Sequence, residues 1–220
     1  MRDVLVFGRY GQLASELLPR LAARPAYRTR SIARSEIDLG QPAAARDLVL
    51  SERPWLVVNT AAYTAVDRAE SERNLAFAVN ADAPAAIAQA CKQVGAIFVH
   101  ISTDYVFDGK ASIAYTETDQ IGPINVYGES KAKGEEQVRR AIEQHVILRT
   151  SWVFARSGNN FVRSMLRLAI CDRDIAVVDD QFGTPTDAAR LATLIRQWRI
   201  GWPTVSPARL ERPTPPVARR

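Results

Sequence analysis

No apolar run in this 220-residue chain reaches the roughly 18 residues that a membrane-spanning helix needs, so no membrane partner is expected. Cysteine is scarce. Cys91 and Cys171 lie far apart, with neither Cys-x-x-Cys nor His-Cys spacing, which argues against a disulfide framework and a metal site alike. Cys91 falls in an Ala-rich helical stretch and reads as a buried structural thiol. A signal peptide is lacking too, since Met1-Arg2-Asp3-Val4-Leu5-Val6-Phe7-Gly8 reads as a short strand ending in glycine. A cytoplasmic location is expected. Basic runs with interleaved aromatics are also missing. The net charge is +5, but the last 20 residues hold four arginines against Glu211, so +3 of it belongs to that tail. Nucleic acid is therefore not an expected partner.

What is present is ordinary for a soluble globular protein: 47% apolar and 24% charged residues, in a chain long enough to bury a sizeable core. Residues 3–7 read as a first strand. Gly8-Arg9-Tyr10-Gly11-Gln12-Leu13-Ala14 follows at once, and Leu13, Leu17, Leu18 and Leu21 then recur with helical period. Strand, glycine turn and helix in that order put backbone N–H groups and the positive end of a helix dipole where a pyrophosphate binds. One Gly-x-x-Gly is a weak signal, strengthened by its place after a first strand. Ala14 stands where the usual fingerprint has a third glycine and is small enough to keep helix and strand close.

Residues 29–34 predict strand two, about 20 residues past the turn, where dinucleotide folds meet the adenosine ribose. Arg30, Ser31 and Arg34 stand there in place of an acidic residue, which favours a 2′-phosphate and hence NADP; the bland alternative is a solvated basic edge. Asp38 either faces the adenine or caps the helix from Pro42. Residues 55–59 predict a buried strand, followed by the small-polar run Thr60-Ala61-Ala62-Tyr63-Thr64. Helices are expected at 69–77 and 84–94.

The centre of the chain is residues 102–131. Ser102-Thr103-Asp104-Tyr105-Val106-Phe107-Asp108-Gly109 follows the apolar run at 96–101, so it lies at a strand's C-terminal end, where ligands bind in open α/β sheets. Tyr127 and Lys131 then stand four apart in a helix-favouring stretch and share one helix face. An ammonium beside a phenol stabilises the phenolate and is expected to lower its pKa from about 10, making a general acid. Further on come a strand at 145–150, Trp152 as a core anchor or a sugar-stacking ring, a helix from Asn159 to Leu168, a strand at 175–180, a loop at 181–186 and a helix from Asp187 to Trp198. The last 20 residues hold five of the 12 prolines and show no period, so they read as disordered or loosely docked. Alternating strands and helices predict an α/β doubly wound parallel sheet, an NAD(P)-binding Rossmann fold. The expected divisions are a dinucleotide-binding domain at 1–150, a small, incomplete C-terminal substrate domain at 151–199 and an irregular tail at 200–220.

Taken together these segments resemble the dTDP-4-dehydrorhamnose reductase family of the extended short-chain dehydrogenase/reductases. Gly11-Gln12-Leu13, Ala61-Ala62-Tyr63-Thr64-Ala65-Val66-Asp67, the 102–109 segment, Asn125-Val126-Tyr127-Gly128, Arg149-Thr150-Ser151-Trp152-Val153 and Asp180-Gln181-Phe182-Gly183-Thr184-Pro185-Thr186 carry the likeness over about residues 1–198. The resemblance implies NADPH- or NADH-dependent reduction of the 4-keto group of dTDP-4-dehydro-L-rhamnose, a step toward L-rhamnose in cell-surface polysaccharide. Tyr127 is then the proton donor, Lys131 the residue that holds the nicotinamide ribose, and Thr103 the hydrogen-bond partner of the keto oxygen. It further implies that Gly11, Gln12 and Leu13 line the pyrophosphate, Ser31 the adenosine ribose, and Asp38 and Leu39 the adenine; Gly8 in the turn and Arg34 after strand two are expected to bind the cofactor by their positions. Ala62, Tyr63 and Thr64 continue the cofactor groove; Thr64, Val66, Asp104, Tyr105 and Trp152 approach the sugar. Magnesium and a homodimer enter only because some relatives form metal-bridged dimers, and this chain shows no ligand cluster for one.

Family members usually run several tens of residues further, so the chain reads as C-terminally shortened. A dinucleotide-binding protein without turnover, similar to the regulatory subunit of methionine adenosyltransferase, is the competing reading. Intact Thr103, Tyr127 and Lys131 favour the enzyme, while the short C-terminus favours the binder. An epimerase or dehydratase ranks last, because Asp104-Tyr105 offers one carboxylate where a dehydratase normally has an acidic pair.

Overall fold

The computed structural model describes residues 1–170, 175–177, 181 and 183–197. Five strands make one parallel sheet: Arg2–Phe7 (β1), Tyr27–Ile32 (β2), Leu56–Asn59 (β3), Ile97–Thr103 (β4) and His145–Thr150 (β5), in the order β2-β1-β3-β4-β5. The doubly wound sheet expected from the alternation is thus formed. The chain leaves β1 to one side for β2 and returns to its other side for β3, so the switch point lies between β1 and β3. That is where such sheets open a ligand crevice at the strands' C-terminal ends.

Period-2 alternation in strands buried on both faces builds two cores. Val4, Val6, Val58 and Val99 point to one face, where Gln12–Ala22 (α1) buries Leu13, Leu17 and Leu21. Leu5, Phe7, Val57 and Phe98 point to the other, under Pro42–Glu52 (α2), Ala83–Val94 (α5) and Val126–Ala141 (α6). Burying each such Leu or Val side chain is worth about 1.5–3 kcal/mol. Cys91 is buried in the second core, and burial pushes its thiol far above the ordinary range, as a structural cysteine requires.

Several boundaries differ from the sequence reading. Strand two ends at Ile32 because the chain turns at Ala33, whose carbonyl accepts from the Glu36 and Ile37 N–H groups. The helix expected at 69–77 is two short ones, Val66–Ala69 (α3) and Arg73–Phe77 (α4), and a π turn at Ala78–Asp82 runs on into α5. Gly134 of α6 makes the π turn's packing feasible: a Cβ there would stand 2.1 Å from the Asn80 carbonyl oxygen. After β5, Val153–Phe154 (β6) pairs in parallel with Thr186–Asp187 (β7), where the sequence predicts a loop to 186 and a helix from Asp187. Phe161–Ala169 (α7) is capped by Asn160, whose side chain accepts from the Arg163 N–H. Ala188–Gln197 (α8) folds back to bury Leu191, Ala192 and Ile195 against the core of α1. Residues 151–197 therefore contribute a helix to the first core as well as the small sheet. The strand expected at 175–180 has no regular structure at 175–177; its remainder, Cys171 and the 200–220 tail lie outside the described residues. Among the described residues no helix is long and apolar enough to cross a membrane.

Candidate active site

The switch point opens a cleft of about 560 Å³ between the glycine turn, the loop after β2, the 60–64 run and the start of α6. Gly8 lines it with φ +102°, and a Cβ there would meet Thr60 Oγ1 at 2.4 Å, so only glycine lets the two strand ends close up. Gly11, Gln12 and Leu13 stand at the N-terminus of α1, where no side chain caps the helix and the first N–H groups face the cleft's ligand position. Gln12 does more than line the wall. Its amide donates to the Val153 carbonyl at 3.2 Å and accepts from Asn160 at 2.8 Å, tying the glycine turn to the segment after β5.

At the end of the cleft nearest β2, Arg34, Asp38 and Leu39 line the wall. Asp38 Oδ1 accepts from the Gly40 N–H, and α2 begins after Gln41 instead, so Asp38 is no helix cap. Ser31 is held behind Arg9, whose Nε donates to the serine hydroxyl at 3.0 Å and whose guanidinium pairs with Glu36 at 2.6 Å. Arg30 pairs with Glu52 and is not on the cleft wall. The basic contribution to this end therefore comes from Arg9 and Arg34, and Arg9 escaped the sequence reading despite sitting inside the glycine turn.

Ala62, Tyr63 and Thr64 continue the wall. Buried Asn80 fixes this loop: its oxygen accepts from the Tyr63 N–H at 2.9 Å, and its nitrogen donates to the Tyr63 carbonyl and to Ser130 Oγ, each at 3.0 Å. The Tyr63 hydroxyl donates to Glu72 at 2.7 Å. Sequence reasoning passed over Asn80 because a lone asparagine between helices has no recognisable spacing.

Tyr127 and Lys131 enter the cleft from the first two turns of α6, whose start is set by Asn125 accepting from the Gly128 N–H at 2.7 Å. The Thr103 hydroxyl donates to Asp104 Oδ1 at 3.1 Å and accepts from the Tyr105 N–H at 3.2 Å. Asp104 Oδ2 accepts from Ser151 at 2.7 Å. Tyr105 packs edge-on against the Tyr127 ring at 5.4 Å, with Val66 in the same small cluster. Thr103, Tyr127, Asp104 and Tyr105 are thereby brought together at the end of β4. Trp152, at φ 47° and 45% exposed, is no core anchor; its indole lies against Gly183.

One electrostatic expectation is reversed. Burial pushes the Tyr127 phenol up to about 12; the Thr103 hydrogen bond opposes it, and Asp104 and Tyr105 push it further. Burial also pulls Lys131 down to about 8, with Glu135 resisting. In this environment desolvation of the two groups outweighs any Lys131 pull on the phenol.

Among the described residues no three His, Cys, Asp or Glu side chains gather in one place.

The model of the RmlD substrate binding domain matches residues 1–201. The dTDP-4-dehydrorhamnose reductase of Escherichia coli K12 is 44% identical over 192 residues, covering 86% of this chain and 64% of the relative. That of Burkholderia thailandensis is 47% identical over 189 residues, covering 86% and 63%. The chain thus spans a little under two thirds of these relatives' length. Among solved structures, the Clostridium acetobutylicum dTDP-4-dehydrorhamnose reductase superposes with a TM-score of 0.84 at 37% identity, over 88% of this chain and 68% of that one. The Bacillus anthracis enzyme, in complex with NADP, gives 0.83 at 39% identity, over 88% and 69%. With the strand order, the glycine turn and the Tyr127 and Lys131 side chains in one cleft already in place, these matches show that the chain belongs to the dTDP-4-dehydrorhamnose reductase family, through its RmlD substrate binding domain.

Proposed function

We propose that the chain binds NADPH across the β1/β3 switch point and reduces the 4-keto group of a dTDP-4-dehydro-L-rhamnose-type sugar nucleotide to the alcohol. The observation that carries this reading is one cleft lined by the Gly8–Leu13 turn, the uncapped start of α1, Tyr127 and Lys131, with Thr103 at the adjoining end of β4. The residues fit a dinucleotide. Gly8, Gly11, Gln12 and Leu13 would hold the pyrophosphate, Arg9 and Arg34 a 2′-phosphate, Asp38 and Leu39 the adenine, and Ala62, Tyr63 and Thr64 the middle of the cofactor. Lys131 would hold the nicotinamide ribose.

When bound, the cofactor supplies the hydride. The protein's own work is proton supply and placement. Tyr127 Oη gives its proton to the oxygen that gains negative charge, and a phenol that burial keeps protonated is ready to donate at neutral pH. Thr103, whose hydroxyl donates to Asp104 here, would turn that proton to the same oxygen. Asp104, anchored by Ser151, and Tyr105 form the wall toward the sugar with Thr64, Val66 and Trp152. On this reading residues 1–150 carry the cofactor and 151–199 begin the sugar-nucleotide side. The homodimer rests on family likeness alone.

The test is NADPH oxidation by the purified chain with dTDP-4-dehydrorhamnose, beside Tyr127→Phe. Phenylalanine keeps the ring but has no proton to give, so a loss of roughly 10²–10⁴-fold in rate is expected. NADPH binding without turnover in the unaltered chain would sink the reductase reading and leave a dinucleotide-binding protein.

A further inference from the structure

Three polar side chains line up beneath the cleft without reaching solvent: Asn59 of β3, His100 of β4 and Lys131 of α6, all at or below 1% exposure. Asn59 and His100 are register partners on adjacent strands, and His100 shares the sheet face of Phe98, toward α6. Buried donors must meet acceptors, and here the proton positions can be followed from one end. The Ala61 N–H only donates, so the Asn59 atom 3.1 Å from it is the amide oxygen. The Asn59 amide nitrogen is then 3.3 Å from His100 Nδ1, which has to accept. A neutral imidazole that accepts at Nδ1 carries its proton on Nε2. Nε2 lies 3.3 Å from Lys131 Nζ, while Lys131 itself donates to the Ile101 carbonyl at 2.7 Å. An ammonium would set donor against donor across that 3.3 Å contact. A free amine has a lone pair that accepts.

We propose that Asn59 and His100 are positioning residues for Lys131: anchored on the Ala61 N–H, they hold His100 as its Nε2–H tautomer, which favours the free amine of Lys131. Lys131 is then a proton-exchanging group at working pH rather than a fixed positive charge. Burial acts in the same direction, drawing Lys131 down to about 8 and keeping His100 neutral far below its usual range. Two other titratable groups face Lys131, both on α6. Glu135 favours the ammonium, but its carboxylate is already shared by Arg149 of β5 and Arg139 of α6. Tyr127 is held protonated by burial. The tautomer stands on hydrogen-bond geometry alone; its effect on turnover rests on the reductase reading.

The experiment is nitrogen-15 NMR of the full chain labelled at histidine. Only His100 and His145 are present, so His145→Gln assigns the signals. A neutral His100 protonated at Nε2 is expected at pH 9, above the Lys131 value of about 8; an Nδ1–H tautomer or an imidazolium there overturns the proposal, whether or not the chain turns over. A second arm follows Lys131, one of four lysines, by carbon-13 at Cε. In His100→Gln the new amide can turn its oxygen to the ammonium, so the Lys131 titration should move up by about one pH unit. An unchanged titration overturns the claim that His100 governs Lys131. In NADPH oxidation the alkaline limb of kcat/KM should move with it. Absence of any turnover in the unaltered chain counts against the reductase reading and leaves the two NMR results to decide the tautomer.

Discussion

Arg9, inside the glycine turn, forms a 2.6 Å ion pair with Glu36 just past β2, and so sets a carboxylate beside the cation best placed for a 2′-phosphate. Glu36 is held there by the Ala33 N–H at 2.9 Å; that bond first, and Arg9 after it, keep its carboxyl below the usual range. A phosphate arriving at Arg9 has to compete with Glu36. A ribose hydroxyl does not, since it can accept from Arg9 or donate to Glu36.

Glu36→Gln is therefore expected to tighten NADPH while leaving NADH nearly unchanged. The pair is partly exposed, so the gain in NADPH over NADH should be modest, roughly two- to fivefold, and should shrink with added salt. Arg9→Ala should move the preference the other way. Cofactor affinities measured by fluorescence at two ionic strengths check both, and equal changes for the two cofactors would refute the assignment.

Lys131 offers a stability test with a definite sign. Its folded value, about 8, lies below its ordinary 10.5. The unfolded chain therefore binds more protons between those values, and stability should rise with pH across that window. Below pH 8 the burial cost of the ammonium is fully present and amounts to roughly 3 kcal/mol. Lys131→Met should raise the melting temperature at pH 7, flatten the rise between pH 8 and 10.5, and weaken cofactor binding. A variant that melts lower at pH 7 would contradict this.

The buried Glu135 predicts acid sensitivity. Its carboxylate takes 2.7 and 2.9 Å hydrogen bonds from Arg149 and one of 2.8 Å from Arg139, and Arg149 also lies over the Phe107 ring at 4.8 Å. Burial pushes Glu135 up, but these arginines prevail and its value falls below the ordinary 4.5. A depressed carboxyl stabilises above its unfolded value and loses that contribution as pH falls through the folded one. Glu135→Ala should destabilise the fold at pH 7 by less than the roughly 3–5 kcal/mol of a fully buried pair, because the Arg149 it strands is only partly buried. Glu135→Gln should flatten the acid limb of Tm against pH below about 4.5.

Local signals carried much of the fold into view. The apolar runs at 55–59 and 96–101 become strands buried on both faces, the one at 145–150 becomes the half-buried edge strand β5, and the glycine turn sits where its place after β1 put it. The Tyr127–Lys131 spacing reads as one helix face, and α6 is a helix. Where competing partners decide, local signals fall short. Tyr127 was expected to ionise more readily beside Lys131, yet burial of both groups raises one and lowers the other. Ser31 also accepts from Arg9, a partner that lies 22 residues away and that no local pattern announces.

Sequence by itself determined the period-2 and period-3.6 apolar patterns, the turn that tolerates φ +102° at Gly8, and which polar types stand at the strand ends. Those properties depend on neighbours within a few residues. Only the tertiary structure decided that α8 packs beside α1, that β6 finds β7 more than 30 residues on, and that Asn59, His100 and Lys131 meet. Each of those contacts joins segments tens of residues apart, and a buried hydrogen bond has a donor and an acceptor only once the sheet order places them side by side.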